Sequence, residues 1–170
     1  MSLMVPTSPD TLPVNELIAH IAARYQEVHR RDLPELIELA RKVERVLEAA
    51  PDAPLGLADA LERIFLELDM HMQVEENVLF RAMRQNLDGA IAHPIALMRS
   101  EHADYVGELE KMRELAHGFI PPEGAFESWE RLYQGAAALD ATLREQIRLE
   151  NEVLFPRFEV AQTRCTCAHA

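Results

Sequence analysis

The chain has 170 residues, a formal net charge of −12 and 48% hydrophobic residues, with an isoelectric point near 5.0. This length suits one domain with one core. The acidic balance argues against binding to nucleic acid or to an anionic membrane surface, because both depend on cationic side chains. The sequence contains no apolar run of about 18 residues, so a membrane span is excluded as well.

The two ends of the chain are predicted to lie outside the folded domain. We expect residues 1–12 to be disordered, with a cloning remnant at the start, and residues 13–161 to form the domain. Residues 162–170 are expected to be a flexible tail, and it holds the only two cysteines, Cys165 and Cys167. With no secretory signal at the start, this cysteine usage predicts a cytoplasmic protein.

Four stretches with helical apolar periodicity follow one another along the chain. They run, in order, from about Val14 to Ala49, from Leu57 to Asn86, from His93 to Gly118 and from Phe126 to Val160. Pro34 lies inside the first stretch, where it should kink the helix or remove one backbone hydrogen bond. The sequence carries no strand signals. An all-α fold, an up-down-up-down four-helix bundle, is therefore expected.

The sequence also indicates that the four helices arose by duplication of one helix pair. An offset of 75 residues aligns His71–Phe80 in the second helix with Gln146–Phe155 in the fourth. An offset of 76 aligns the first helix with the third and brings Gln26 to His102. The recurrence of Glu-x3-Leu-Phe at matched offsets favours duplication over a chance match between amphipathic helices.

Four polar side chains are predicted to point into the bundle. His71 and Glu75 lie four residues apart on the apolar stripe of the second helix, so they share one face. His102 and Glu150 lie on the apolar faces of the third and fourth helices. A carboxylate in a core is costly unless it is paired or binds a cation. Two imidazoles and two carboxylates are a ligand set for iron, manganese or zinc, so we predict a metal site.

Three sequence blocks resemble the hemerythrin-like (HHE cation-binding) family. The blocks are His71-x3-Glu75-Glu76-x2-Leu79-Phe80, Ser100-Glu101-His102 and Leu149-Glu150-Asn151-x2-Leu154-Phe155-Pro156-Arg157. Within the family, the chain is most similar to the di-iron domain of the iron–sulphur cluster repair proteins, over about residues 13–160. The resemblance implies a hemerythrin-like bundle in which several histidines and two bridging carboxylates hold two irons. By position, His71 and His102 match two of those histidines, and Glu75 and Glu150 match the carboxylates.

The sequence departs from the family pattern at three ligand positions. Gln26 and Gln146 stand where the family has histidines in the first and fourth helices, and Leu47 replaces a further frequent histidine. The duplication supports the first two assignments, because Gln26 aligns with His102 and Gln146 with His71. Glutamine offers only a neutral amide oxygen, a poor iron ligand beside imidazole. We therefore expect a partly degenerate site that binds nearer one iron than two.

The resemblance implies an iron-binding protein that senses or responds to dioxygen, nitric oxide or oxidative stress. A small diatomic molecule is its expected ligand, and enzyme activity is not expected. Gln26 and Gln146 would lie beside the metal as weak ligands or hydrogen-bond partners. The alternative is a metal-free structural or regulatory relative with a Gln/Glu/His hydrogen-bond network in its core. His20 and His29 are interpreted as ordinary polar or surface residues. The alternative is that they compensate for the missing histidines, since His29 lies three residues from Gln26 and so near its face. The sequence leaves a homodimer open.

Overall fold

The structure is a computed structural model that describes residues 8–87 and 91–159. Within these residues there is no β-strand, and no helix is long and apolar enough to cross a membrane. The predicted tail with both cysteines lies outside the described residues, as do residues 1–7 and the predicted end of the fourth helix.

Four long helices make up the fold, and three of them contain a π-helical turn. The first comprises α1 (Val14–Ile21), a π turn (Ala22–Gln26) and α2 (Glu27–Val46). The second comprises α3 (Leu57–Val74), a π turn (Glu75–Leu79) and α4 (Phe80–Arg84). The third is α5 (Ala92–Leu115). The fourth comprises α6 (Glu127–Arg148), a π turn (Leu149–Leu154) and α7 (Pro156–Glu159).

The packing of these helices is that of an antiparallel bundle. The α2 helix packs against α3 and α6, and α5 packs against the same two helices. The long helices therefore occupy the corners of a square, in which neighbouring helices run antiparallel. The predicted all-α, up-down-up-down bundle is confirmed.

The connection between the first two long helices is fixed by local chemistry. Gly56 has a φ of 88°, which places it in the left-handed region that favours glycine. The backbone N–H of Ala58, in the first turn of α3, donates to the Glu44 carboxylate over 2.8 Å. A negative charge at this position also complements the helix dipole. The α2 helix continues through Pro34, which removes one backbone hydrogen bond.

The described start of the chain differs from the predicted disorder. Pro9–Thr11 form a 3-10 turn, and the carboxylate of Asp10 pairs with Arg148 over 2.8 Å. The Arg157 guanidinium donates to the backbone carbonyls of Asp10 and Leu12. Residues 8–12 are thus attached to the fourth long helix.

The core consists of two apolar clusters with a polar layer between them. Leu33, Leu61, Leu109 and Leu143 belong to one cluster, and Leu17, Leu79, Met98 and Phe155 belong to the other. The buried polar layer comprises Gln26, His29, His71, Glu75, His102, Gln146 and Glu150. Each long helix runs from one apolar cluster, through the polar layer, to the other apolar cluster. Successive helices run in opposite directions, as expected for an antiparallel bundle.

The π-helical turns lie at the polar layer. The N–H of Phe80 donates to the carbonyl of Glu75, and that of Phe155 donates to the carbonyl of Glu150. Both bonds reach back five residues instead of four. The two turns involve residues that the 75-residue offset aligns, which supports the duplication. Turns of this kind are frequent at functional sites.

Candidate metal centre

Four buried side chains converge on one point in the polar layer. His71, Glu75, His102 and Glu150 each offer a ligand atom, and these four atoms lie within 4.8 Å of one another. None of the four residues is more than 3% exposed. They come from the second, third and fourth long helices, so only the folded bundle brings them together. Their role as metal ligands stays a prediction.

In the first half of the duplicated fold, Glu75 lies between an amide and an imidazole. The amide nitrogen of Gln26 donates to Oε2 of Glu75 over 2.8 Å. The other oxygen, Oε1, lies 3.3 Å from Nε2 of His71, but it has no hydrogen-bond partner. One carboxylate oxygen is therefore fixed by glutamine, and the other faces the centre of the site.

The second half repeats this arrangement around Glu150. The amide nitrogen of Gln146 donates to Oε1 of Glu150 over 3.0 Å, and Oε2 lies 3.0 Å from Nε2 of His102. Here too the inner oxygen has no hydrogen-bond partner. Each half thus contributes one histidine, one glutamine and one glutamate, but the glutamine and the histidine stand at exchanged positions in the two halves.

The two imidazoles face each other through their Nε2 atoms, which are 3.1 Å apart. Their outer nitrogens are held by acceptors. Nδ1 of His71 contacts the Glu101 carboxylate, and Nδ1 of His102 lies 2.8 Å from Oδ1 of Asn151. These acceptors favour a proton on each Nδ1, which turns the lone pair of each Nε2 inward. Two facing lone pairs repel unless a cation or a proton lies between them.

The unpartnered atoms of the polar layer test whether a metal ion fits. The buried atoms of this layer without a hydrogen-bond partner are Gln26 Oε1, His29 Nε2, Glu75 Oε1, Gln146 Oε1 and Glu150 Oε2. Leaving such a group unpaired costs about 1–3 kcal/mol. Metal–ligand bonds of about 2 Å place neighbouring ligand atoms about 3 Å apart, close to the inner separations of 3.0–3.3 Å. The residues present therefore fit a transition-metal ion.

The electrostatics of the metal-free cluster show that protons can substitute for a cation. Burial disfavours the charged form of His71, but its contact with Glu75 and the charges of Glu75 and Glu150 raise its pKa to about 9. Burial and the charge of Glu150 raise the pKa of Glu75. A metal ion that binds here must displace these protons.

The expectation of a surface position for His29 is wrong, whereas the alternative, that it compensates for a missing histidine, stays a prediction. His29 is 2% exposed and lies within the polar layer, where burial lowers its pKa to about 4. A sequence signal for this position exists, because His29 follows Gln26 by three residues and precedes the core residue Leu33 by four. His20, by contrast, is partly exposed and lies against the ring of Tyr25.

A cleft at the surface of the bundle is lined in part by His71. The cleft has a volume of about 350 Å³ and is lined by Glu67, Met70, His71, Val74, Glu101, Asp104 and Tyr105. The Tyr105 ring stands edge-on to the imidazole of His71, with the ring centres 5.3 Å apart. The cleft is large enough for a small molecule to approach the buried imidazole.

Comparison with known proteins places this arrangement in a family. A family model described as the hemerythrin HHE cation binding domain matches residues 18–158, a range that contains all six predicted site residues. An iron-sulfur cluster repair protein YtfE from Pectobacterium carotovorum subsp. carotovorum is 45% identical over 145 residues. Proteins of the same name from Yersinia pseudotuberculosis and Citrobacter koseri are 43% and 42% identical.

These relatives are longer than the present chain. The matches cover 85%, 85% and 86% of this chain but only 66%, 66% and 67% of the relatives. The matches confirm the predicted resemblance and, together with the buried His/Glu cluster, the predicted class of function, a hemerythrin-like metal-binding protein for which iron is the implied cofactor. The chain belongs to the hemerythrin HHE cation-binding family.

Proposed function

We propose that this protein binds iron in its polar layer and responds through that iron to dioxygen, nitric oxide or oxidative stress. One observation carries the proposal. Glu75 Oε1 and Glu150 Oε2 are buried without hydrogen-bond partners, and both lie beside the inward Nε2 atoms of His71 and His102. A cation satisfies all four atoms, whereas an apolar core or a neutral network does not.

The ligands we propose are His71, Glu75, His102 and Glu150. Iron held by them would supply a redox-active centre with open coordination positions for a diatomic molecule. The carboxylates provide the negative charge that retains a cation in a dry core. The glutamine donors orient those carboxylates by holding their outer oxygens.

The surroundings preorganise this ligand set. Glu101 and Asn151 hold the outer nitrogens of the two imidazoles, which fixes ring orientation and keeps each Nε2 free to bind. The apolar clusters above and below the layer exclude bulk water, which strengthens electrostatic attraction within the site. The cleft beside His71 supplies a path for a small molecule.

The names of the relatives suggest a process in which this chemistry is used. Those relatives are named as iron-sulfur cluster repair proteins. Since the chain spans about two thirds of their length, we propose that it carries the iron-binding part of a related stress response. The few cysteines of the chain suit a reducing cytoplasm, which we propose as its location.

A second candidate function is that of a metal-free relative with a structural or regulatory role. The observation that favours it is the pair of glutamine donors, which satisfy one oxygen of each carboxylate. Protons on His71 and Glu75 would then occupy the centre of the site, in line with their raised pKa values.

Loading with Fe2+ under anaerobic conditions, followed by addition of nitric oxide, tests the proposal. We expect a higher melting temperature on loading, which a chelator reverses, and a new visible absorption band on addition of nitric oxide. Glu150→Gln should abolish both effects. Glu152→Gln is the matched control, because Glu152 is an exposed carboxylate in the same π turn. A melting temperature unaffected by iron and chelator would instead support the metal-free candidate.

A further inference from the structure

Arg30 links the first two long helices beside the candidate metal centre. It lies on α2, one helical turn after Gln26. Its Nε donates to the Asp69 carboxylate over 2.9 Å, and its two terminal nitrogens donate to the two oxygens of Glu76 over 2.7 and 3.2 Å. The three charged side chains are 30–35% exposed. Ion pairs of this exposure add little to stability, so stability is a weak reason for this arrangement.

The two carboxylates that Arg30 binds flank the proposed ligands of the second long helix. Asp69 precedes His71 by two residues, and Glu76 directly follows Glu75 in the π turn. The planar guanidinium bonds both carboxylates at once, in a fixed geometry. It therefore fixes the segment that carries both ligands at its two ends, against the first long helix.

The register between these two helices sets the position of Glu75. The Gln26 amide donates to Glu75 over 2.8 Å, and Arg30, one turn further along, binds the residue after Glu75. A single hydrogen bond permits one helix to rotate against the other. Two neighbouring links resist both rotation and sliding, so the contact with Gln26 depends on the one made by Arg30.

The second half of the fold has a corresponding link with different chemistry. The residue that matches Glu76 is Asn151, and its Oδ1 lies 2.8 Å from Nδ1 of His102 on the third long helix. The residue that matches Arg30 is Val106, whose side chain cannot donate. In both halves, the side chain directly after the proposed carboxylate ligand thus bonds to the preceding long helix. The recurrence of this link favours a role at the centre over a chance surface pair.

We propose that Arg30 is a positioning residue for the metal centre, which sets the places of His71 and Glu75 and thereby the affinity for the ion. The proposal rests on the proposed function and goes beyond it by naming a residue that acts on the centre through its neighbours. The sign of the effect separates position from charge. A guanidinium repels a nearby cation, so charge alone predicts tighter metal binding when it is removed. Loss of position predicts weaker binding.

A competition titration with Zn2+ in the intact protein measures that sign. We expect Arg30→Gln to raise the dissociation constant about 10-fold, the lower end of the range for lost partners of metal ligands. Arg30→Lys keeps the charge but loses the planar fork, so it should weaken binding by a smaller factor. Arg41→Gln is the matched control and should leave the affinity unchanged. Arg41 pairs with Glu62 across the same two long helices over 2.8 Å, and its neighbour Ala40 belongs to an apolar cluster outside the polar layer.

Visible absorption of the Co2+-loaded protein adds a second readout, because the bands of this ion report the geometry of its ligands. We expect the bands of Arg30→Gln to differ from those of wild type and the bands of Arg41→Gln to coincide with them. Circular dichroism of the metal-free variants checks their folding. If Arg30→Gln does not fold, Arg30→Lys decides.

The outcomes separate this proposal from the one on which it rests. If wild type binds Zn2+ and the Arg30 variants bind it as tightly or more tightly, the positioning role is overturned and the metal-binding function stands. If wild type binds neither Zn2+ nor Co2+, both proposals fail.

Discussion

The side-chain amide of Gln26 donates a hydrogen bond to Glu75 over 2.8 Å, so this glutamine acts as a donor to a carboxylate. Its equivalent in the second half of the fold, His102, instead turns a ring nitrogen towards Glu150 at 3.0 Å. The replacement of an imidazole by an amide therefore changes a ligand position into one that holds a neighbouring ligand in place. Gln146 has the same relationship to Glu150.

Changing both glutamines to histidine should restore binding of a second metal ion. The double variant Gln26→His/Gln146→His gives each carboxylate a second imidazole neighbour in addition to the histidine already present. Imidazole is a far better iron ligand than a neutral amide. We expect iron per chain to rise from about one to about two after anaerobic reconstitution, as measured by elemental analysis.

The matched control for this variant is Gln134→His, because Gln134 is an exposed glutamine on α6 outside the polar layer. An unchanged iron content in a folded double variant would mean that Gln26 and Gln146 do not occupy ligand positions.

The architecture was predictable because the apolar residues that repeat with the helical period are the same residues that are buried in the fold. Leu33, Leu61, Leu109 and Leu143 repeat on apolar stripes, and all four are buried in one cluster. Glu75 and the other predicted ligands interrupt those stripes, and a charged residue within an apolar stripe is a strong signal of a site.

The backbone irregularities and one histidine were not predicted. A π-helical turn adds one residue to a turn, a shift too small to disturb an apolar pattern that tolerates spacings of three and four. The sequence placed His29 near the face of Gln26 but did not settle its burial, because histidine is compatible with both surface and core. The 3-10 turn at Pro9–Thr11 depends on Arg148 and Arg157, which are far away in the sequence.

Removal of the Glu101 side chain should weaken metal binding without direct loss of a ligand. The Glu101 carboxylate contacts Nδ1 of His71, and loss of such a partner costs about 10- to 100-fold in metal affinity. We expect Glu101→Ala to show this loss in a competition titration. Asp104→Ala is the control, since Asp104 lines the same cleft and makes no hydrogen bond to His71 in the described structure. Equal affinities for the two variants would contradict the assigned role.

The stability of the metal-free protein should depend on His29 at acidic pH. Burial lowers the folded-state pKa of His29 from 6.5 to about 4. Between these values the unfolded chain binds a proton that the folded chain does not, so the free energy of unfolding falls as pH falls through this window. The loss attributable to His29 is at most about 3 kcal/mol.

Chemical denaturation of wild type and His29→Gln at pH 7 and pH 4, with chelator present, measures this contribution. Other titrating groups are common to both proteins, so the difference between the two unfolding free energies isolates His29. Wild type should lose more stability on acidification than the variant. A difference that stays constant with pH would show that His29 is not buried as a neutral imidazole.

A pair of glycine substitutions tests the packing of α2 against α6. A Cβ at Gly135 would lie 2.6 Å from Cδ1 of Leu36, whereas a Cβ at Gly107 meets nothing within 4 Å. Gly107→Ala should raise the free energy of unfolding by about 1 kcal/mol through helix propensity. Gly135→Ala should gain less, or lose stability, because Leu36 must move. Equal gains in thermal denaturation would contradict the close contact.

The central claim, that a metal ion binds in the polar layer, is tested most directly by the iron content of protein purified from iron-supplied cells. We predict about one iron per chain in wild type and almost none in the folded Glu75→Gln/Glu150→Gln variant, because the charge that retains the cation is gone. Wild-type protein that is folded but holds no stoichiometric iron, even after reconstitution with Fe2+, would contradict the claim.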